Sequence, residues 1–576
     1  MTISFARNDT TYRPIALLAI GVILIGFAWL VENGDIEHAL VSDPSRSLEW
    51  GPTLFRAVLA FHGLLLLLTA VTWRRRLLAA GNSSDRSEAA EENSPRSTTR
   101  TQWVALCGFS VLALALRLWN LNSDLWYDEI VTLLDFVRPS LGDIVTSFPS
   151  QNQHMFYSVL AHLSINVFGE SAWSLRLPSV GFGVASLWAL FLLGRRIIGA
   201  REALLACALL TVSYHHIWFS QNARGYMGLM FFSTIGTWLW LEAQERDGWL
   251  WWFGYAAALS LGMWLHMTMA FVALAHALFY LFGVARGKRI HWRLLVAWVL
   301  FASLTIQLHA LALPEFLRVA LHEVSLESEW TNPLWVVTES LRSFRIGFAG
   351  LALLLCGVTM FVGGWLSVVR ANVQAGVLMV LPALLAGSTM LLLGHNLWPR
   401  FFFFSIGFAV LIAVHGAVRI PGLLFSQIKP LRARTGLGLG AGLALATFMI
   451  FASILTVPNC YALPKQDFTG ARDYVEHNRG QGDAVVSVGL AGEAYGRYFA
   501  RHWLVAETKA ELTAIEYKYE TVWLVYTIPI QVKAYCPEIW SEVERDYQVV
   551  KVFPGTLGGG EVYVCQKRNG AGLSWE

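Results

Sequence analysis

Charge is what this chain has least of. Asp, Glu, Lys and Arg make up only 14% of its 576 residues, where a soluble domain carries about 25%. With 55% hydrophobic residues, that shortage excludes an ordinary water-soluble globule. Cysteine is also sparse, six in all, and none stand in the paired spacing of a structural zinc site; HExxH is missing too. The net charge of +3 does not suggest a nucleic-acid partner, because Lys and Arg sit at the ends of apolar runs and not on one patch. A cleavable leader is not evident either. The first apolar run, Ile15 to Val31, is long enough to span a bilayer and has no small-residue cleavage site, so it reads as a signal anchor.

What the chain does have is long apolar runs. A bilayer core takes roughly 20 apolar helical residues to cross. Thirteen segments read as spans: 15–31, 53–72, 102–120, 176–193, 203–219, 226–241, 249–266, 268–283, 294–312, 346–368, 374–393, 401–418 and 436–457. With the N-terminus inside, every clearly basic loop falls on the cytoplasmic side: Arg74 to Arg76, Arg195 with Arg196 and Arg201, Arg286 to Arg293, Arg370, and Arg419 to Arg434. The positive-inside rule therefore fixes the expected orientation, in a plasma (inner) membrane, with residues 458–576 outside. Residues 154–168 are apolar but short and carry two His; a span there would flip all later basic loops, so the segment is expected to lie at the outer interface.

The expected organisation is a two-helix hairpin (1–79), a polar cytoplasmic linker (80–101), a helical transmembrane module (102–457) and a small outer α/β domain (458–576). In the last, Asp467 is placed to cap a helix over 468–478. Strands are expected at 482–489, 522–527, 548–553 and 562–565, with a helix at 537–547. Cys107, Cys207 and Cys356 fall inside spans. Cys460, Cys536 and Cys565 fall outside, where Cys536 and Cys565 could pair as a disulfide or remain free thiols.

Polar residues of a particular kind collect at the expected outer face. The loop after the third span reads Leu125-Trp126-Tyr127-Asp128-Glu129. In an extended backbone two adjacent carboxylates point opposite ways, one into a cavity and one toward a neighbour. Partial desolvation at a membrane edge strengthens a carboxylate as a proton acceptor, a candidate general base. The alternative is a solvated acidic loop. Ser220 to Tyr226 places Arg224 on the side where basic residues are otherwise missing, and His395 to Arg400 does the same with Arg400. A guanidinium fork near the headgroups suits a phosphate, or else snorkels to lipid. Arg342 and Arg345, with His322, Glu323, Glu327 and Glu329, add to that face. A Glu129/His154/His266 metal site is conceivable but has no supporting spacing, and no obligatory metal or other cofactor is expected. Together these features fit sugar transfer from a polyprenyl phosphate. Arginines would hold the leaving phosphate, and a carboxylate would take the proton of an attacking hydroxyl.

The same residues carry a resemblance. Trp126-Tyr127-Asp128-Glu129, Gln153-His154-Met155-Phe156-Tyr157, Phe168-Gly169-Glu170-Ser171 through Arg176-Leu177-Pro178-Ser179, Ser220-Gln221-Asn222-Ala223-Arg224 and Pro399-Arg400-Phe401 occur in that order over residues 102–410. The pattern resembles the GT-C superfamily of lipid-phosphate-dependent glycosyltransferases. Within it, the pattern is similar to the bacterial family related to protein O-mannosyltransferases and aminoarabinose–lipid A transferases. The resemblance implies Asp128 as catalytic carboxylate with Glu129 as its partner. It implies a donor and phosphate pocket drawn from His154, Tyr157, Gln221, Arg224, Tyr226, His266, Arg345 and Arg400. Met155 and Phe156 stand where the family has prolines, and Asn222 where it has an acid. The implied partners are a polyprenyl-phosphate sugar, a hydroxyl acceptor on protein, lipid or glycan, and membrane lipid. A lipid-linked glycan ligase or polymerase shares this topology, and a transporter or flippase shares the span count, although a transporter usually carries its charges near mid-membrane.

Overall fold

A computed structural model describes residues 9–80, 98–322, 351–394, 397–427 and 435–567, with Trp335 and Thr338. Arg342, Arg345, Glu323, Glu327, Glu329, His395 and the linker over 81–97 lie outside the described residues.

Among the described residues, helix is found in each of the thirteen apolar runs, from Asp9–Leu30 to Thr435–Thr456. In hydrocarbon the backbone has to satisfy its own donors and acceptors, and these Leu-, Ala- and Phe-rich runs do so as helices. Among the described residues, seven helices are long and apolar enough to cross a membrane, or up to nine if each bent pair is one span. That is fewer than thirteen. Others, such as Met269–Ala285, are apolar but only 17 residues long. The protein is thus a multi-pass membrane protein. One bent pair is Ala200–Thr211 with Tyr214–Ser220, which turns by 63° at the expected outer end. Another bend of 95° separates Pro14–Leu30 from the short helix Asn33–Leu40. The segment expected to lie at the interface is a 14-residue helix, Met155–Phe168. It is about 21 Å long at 1.5 Å per residue, shorter than a bilayer core of about 30 Å.

The helices Ala172–Ile197, Tyr226–Arg246 and Trp249–Leu265 share one apolar core with Ile406–Gln427, through Leu187, Phe191, Met230, Trp240, Trp252 and Phe408. The N-terminal helices cross at two glycines: a Cβ on Gly21 would lie 2.9 Å from the Gly63 carbonyl oxygen, and one on Gly63 would lie 2.7 Å from Ile25 Cγ1. This hairpin is not a free appendage. His62 Nε2 bonds Ser303 Oγ at 3.0 Å, and the Ser42 amide donates to Asp143 at 3.0 Å.

The C-terminal domain is α/β. Its five-stranded mixed sheet comprises β1 (Ala484–Val488), β2 (Leu504–Ala506), β3 (Val522–Thr527), β4 (Tyr547–Phe553) and β5 (Val562–Lys567), in the order β2-β1-β3-β5-β4. β1 runs parallel to β2 and β3, whereas β5 runs antiparallel to β3 and β4. The Asp467 carboxylate accepts from the Gly470 amide at 2.8 Å and starts the helix Phe468–Asn478, as expected. β2 was not expected; it is three residues long, too short for a legible alternation. Cys536 and Cys565 are free thiols, so the disulfide alternative is not realised.

This domain is fused to the bundle by a common core. Phe468, Val475, Tyr495, Trp523 and Val564 pack in one cluster with Leu125, Ile130, Leu133, Ala161 and Ala223 of the membrane module. Tyr495 is fully buried and donates to the Phe468 carbonyl at 2.9 Å, and Arg497 pairs with Asp135 of the module. Truncating Phe468 removes a fully buried ring at the centre of this joint. Phe468→Ala should therefore cost about 3–5 kcal/mol, whereas Arg497→Ala, at a solvated ion pair, should cost under about 1 kcal/mol. Thermal melting of the detergent-solubilised protein ranks the two, and equal losses would contradict the shared core.

Candidate functional site

The site grows from the short helix Tyr127–Val131, with Trp126 as its N-cap. The backbone there is helical, not extended as the sequence reading supposed, yet the two carboxylates still diverge. Glu129 points inward and is fully buried. Arg176 grips it with a fork, Nε to Oε1 at 2.8 Å and Nη2 to Oε2 at 2.5 Å. The Ala223 amide donates to Oε1 at 2.7 Å, and Lys465 Nζ lies 3.3 Å from the same oxygen. Burial by itself would raise the proton affinity of Glu129. The Arg176 and Lys465 charges, with the Arg176 and Ala223 hydrogen bonds, outweigh it and hold the pKa at about 2. Arg176 spends its remaining donors on the carbonyls of Leu121, Ser123 and Asp124.

Asp128 points the other way. Its Oδ2 accepts from Arg400 Nη1 at 3.2 Å and lies 4.0 Å from Arg224 Nε. Arg224 is 2% exposed and is held by the Asn152 carbonyl at 2.7 Å and the Asn152 side chain at 3.2 Å. Arg400 is delivered by the 3-10 turn Pro399–Ser405, where Pro399 occupies the first position and sets the backbone. Its guanidinium stacks on Trp398 at 4.6 Å. The Nε atoms of Arg224 and Arg400 are both buried without an acceptor among the described residues.

Both arginines open into a cavity of about 600 Å³, together with His154, Tyr226 and His266. The three rings pack as a triangle, with centroids 4.9 Å apart for His154 and His266, 5.3 Å for His154 and Tyr226, and 5.5 Å for Tyr226 and His266. Gly225 makes room for them: a Cβ there would come within 2.6 Å of His154 Nδ1. His154 Nδ1 donates to the Leu265 carbonyl at 3.1 Å, and burial, then the Arg224 charge, keeps its pKa well below the usual imidazole range. Trp264, Phe271, Leu313, Phe316 and Leu393 give the cavity an apolar wall.

The sequence reading and the geometry part at several residues. Tyr157 is not in the cavity; it is fully buried and donates to the Leu175 carbonyl at 2.7 Å. Gln221 is likewise structural, because its amide donates to the Arg117 and Trp119 carbonyls at 3.0 and 2.6 Å. Arg345 lies outside the described residues. Glu129, His154 and His266 do not converge, since Glu129 is turned toward Arg176; among the described residues no group of three His, Cys, Asp or Glu could hold a metal ion. Arg176 and Lys465 had no assigned part. Arg176 is one more arginine on the face where basic residues are scarce, so the signal that singled out Arg224 marks it too. Lys465 belongs to a soluble segment, and nothing in its surroundings predicts burial.

The segment 153–311 matches a family model described as dolichyl-phosphate-mannose-protein mannosyltransferase. That segment lies within the stretch carrying the motif resemblance, and it includes His154, Arg224, Tyr226 and His266. No curated protein matches the chain. Among solved structures, the chain is similar to ArnT from Cupriavidus metallidurans in the apo state, with TM-score 0.47 and 14% identity over 81% of this chain and 98% of that one. It is also similar to an oligosaccharyltransferase from Archaeoglobus fulgidus, with TM-score 0.46 and 11% identity over 76% and 71%. Arabinosyltransferase EmbB from Mycobacterium smegmatis follows, with TM-score 0.43 and 12% identity over 71% and 45%.

The geometry gives the two carboxylates different consequences for stability. Arg176→Ala leaves Glu129 buried and under-compensated and should cost about 3–5 kcal/mol. Asp128→Asn keeps an acceptor for Arg400 but removes a charge facing two arginines, and should cost less, about 1–3 kcal/mol. The Glu129 carboxyl is held below its ordinary value of 4.5, so its contribution to stability is present above pH 4.5 and is lost as the pH falls toward about 2. Melting curves across that window should be shallower in pH for Glu129→Gln than for the parent. A parallel pH profile in the variant would show that Glu129 is not the group titrating.

Proposed function

We propose that the protein is a membrane glycosyltransferase that moves a sugar from a polyprenyl phosphate to a hydroxyl acceptor at the outer face of the plasma membrane. The observation that carries this is the pair of buried arginines, whose Nε–H groups have no acceptor among the described residues, lining a cavity with an apolar wall. An unsatisfied buried donor costs about 1–3 kcal/mol. Two of them beside one cavity are relieved by an anion, and a phosphate matches the guanidinium fork. The apolar wall suits the prenyl chain. The family match over 153–311 supports the same donor class.

In the proposed reaction the donor phosphate lies against Arg224 and Arg400, with the sugar's C1 turned toward Asp128. The acceptor oxygen forms a bond to C1 as the bond from C1 to the phosphate oxygen breaks. The electron pair of that bond stays on the phosphate, where both guanidiniums stabilise the growing charge. The proton of the acceptor hydroxyl passes to Asp128. Attack from the side opposite the phosphate inverts the anomeric centre. His154, neutral with Nδ1 committed to Leu265, presents Nε2 as an acceptor for a donor hydroxyl. Glu129 positions this helix and takes no proton. The basic loops support an N-terminus inside and the C-terminal domain outside.

Asp128→Asn should lower sugar transfer by about 10²–10⁴-fold while leaving undecaprenyl phosphate binding intact. Arg224→Ala and Arg400→Ala should each weaken transfer by about 10²–10³-fold and reduce that binding as well. Binding is read by native mass spectrometry in nanodiscs, and transfer by labelled product in membranes. Undiminished binding in both arginine variants would remove the phosphate site from the proposal.

A further inference from the structure

The N-terminal hairpin stands behind the apolar wall of the donor cavity. Two segments far apart in sequence build that wall. One, over 148–155, contributes Phe148 and Met155, and the other, over 305–316, contributes Leu313 and Phe316. They meet where the Phe148 ring stands edge-on to Phe316, with centroids 5.0 Å apart at 81°, in a cluster that also holds Met155 and Ala312. One polar contact pins this seam: the Phe148 amide donates to Glu315 Oε2 at 2.8 Å.

The outer loop of the hairpin grips both segments. Just before the first lies the short helix Leu141–Thr146. The Ser42 amide bonds Asp143 there, and Gly142 packs so close to the hairpin that a Cβ on it would overlap the Leu40 carbonyl oxygen. Arg46 Nη2 donates to the Thr146 carbonyl at 2.6 Å and to Thr146 Oγ1 at 3.1 Å, so this guanidinium closes the C-terminal end of that helix. The same guanidinium lies 3.6 Å from Asp143 Oδ1 and 3.9 Å from Glu315 Oε2, the oxygen that holds the Phe148 amide. Behind the second segment, Ile36 and Leu48 pack on Leu311, and a Cβ on Gly51 would lie 2.9 Å from the Leu311 carbonyl oxygen. One cation of the hairpin thus faces both sides of the seam. Apolar contact between Phe148 and Phe316 has no direction of its own. The polar groups behind the rings, Glu315 and Arg46, are what fix the spacing of the two segments.

We infer that the hairpin is a working part of the donor site: Arg46 is a positioning residue that holds the seam between Phe148 and Phe316 closed and so sets how tightly the cavity grips the prenyl chain. The inference rests on the proposed polyprenyl-phosphate donor and concerns its lipid portion. Arg46 does not line the cavity itself; it acts through Thr146 and Glu315. The hairpin lies outside both the motif-bearing stretch and the segment 153–311 that matches the family model, so neither gives it a part.

The test uses the full-length protein in nanodiscs, with undecaprenyl phosphate as the probe. Native mass spectrometry reads its affinity at a temperature well below the melting point of every variant. Arg46→Ala should weaken binding by about fivefold or more. Arg46→Lys keeps a cation facing Asp143 and Glu315 and one donor for the Thr146 carbonyl, and should return the affinity to within twofold of the parent. Gly142→Ala leaves every charge in place but wedges the helix Leu141–Thr146 away from Leu40, and should weaken binding as Arg46→Ala does. A brace that served stability alone would lower the melting temperature of Arg46→Ala and Gly142→Ala and leave their affinity within twofold of the parent; that result would overturn the inference. Equal losses of affinity in Arg46→Ala and Arg46→Lys would overturn the part given to the cation. Absence of undecaprenyl phosphate binding in the unsubstituted protein would instead count against the donor reading, so the two failures are distinguishable.

Discussion

The buried pair of Arg176 and Glu129 is the constraint on which the outer end of this protein depends. One guanidinium satisfies a carboxylate and three carbonyls of the loop over 121–124. The carboxylate in turn collects an amide from the 222–225 turn and an ammonium from the C-terminal domain. Charges removed from water are expensive unless fully partnered. Each of these three segments is therefore held where it completes the pair, and the short helix carrying Asp128 is held with them. The Arg224 turn and the Asp128 helix share an anchor, so the distance between the proposed base and the proposed phosphate ligand is set by Glu129, which does not line the cavity.

Two adjacent acids thus have opposite fates from one turn of helix. Glu129 faces an arginine with nothing left to give, and Asp128 faces two arginines that each keep a buried N–H without an acceptor among the described residues. A saturated ion pair is structure, and an unsaturated one at a cavity is a place for a ligand. The same contrast separates Tyr157 and Gln221, whose polar atoms are spent on backbone carbonyls, from His154 and Tyr226, whose rings line the cavity.

The C-terminal domain is coupled to this arrangement through its core and through Lys465. Its buried face is continuous with the loop helices, and Lys465 reaches under Trp218 to Glu129. A domain joined by a common core and a buried charge does not drift relative to the bundle. It holds Thr556, whose hydroxyl accepts from the Trp218 indole, at a fixed place against the membrane module.

The sequence by itself determined where the helices lie, because bilayer length and apolar composition leave little choice over a run such as 226–241. It also determined most of the tail's elements, because Asp467 and the alternation around β1, β3 and β4 are local signals. The scarcity of charge made Arg224 and Arg400 conspicuous one residue at a time. What only the tertiary structure decided is which polar groups meet. Glu129 and Lys465 are 336 residues apart in sequence, and Asp128 and Arg400 are 272 apart. Whether Gln221 binds a ligand or a carbonyl turns on where the third helix ends beside it. Hydrogen-bond partners and burial are properties of packed neighbours, and at those separations no local pattern specifies them.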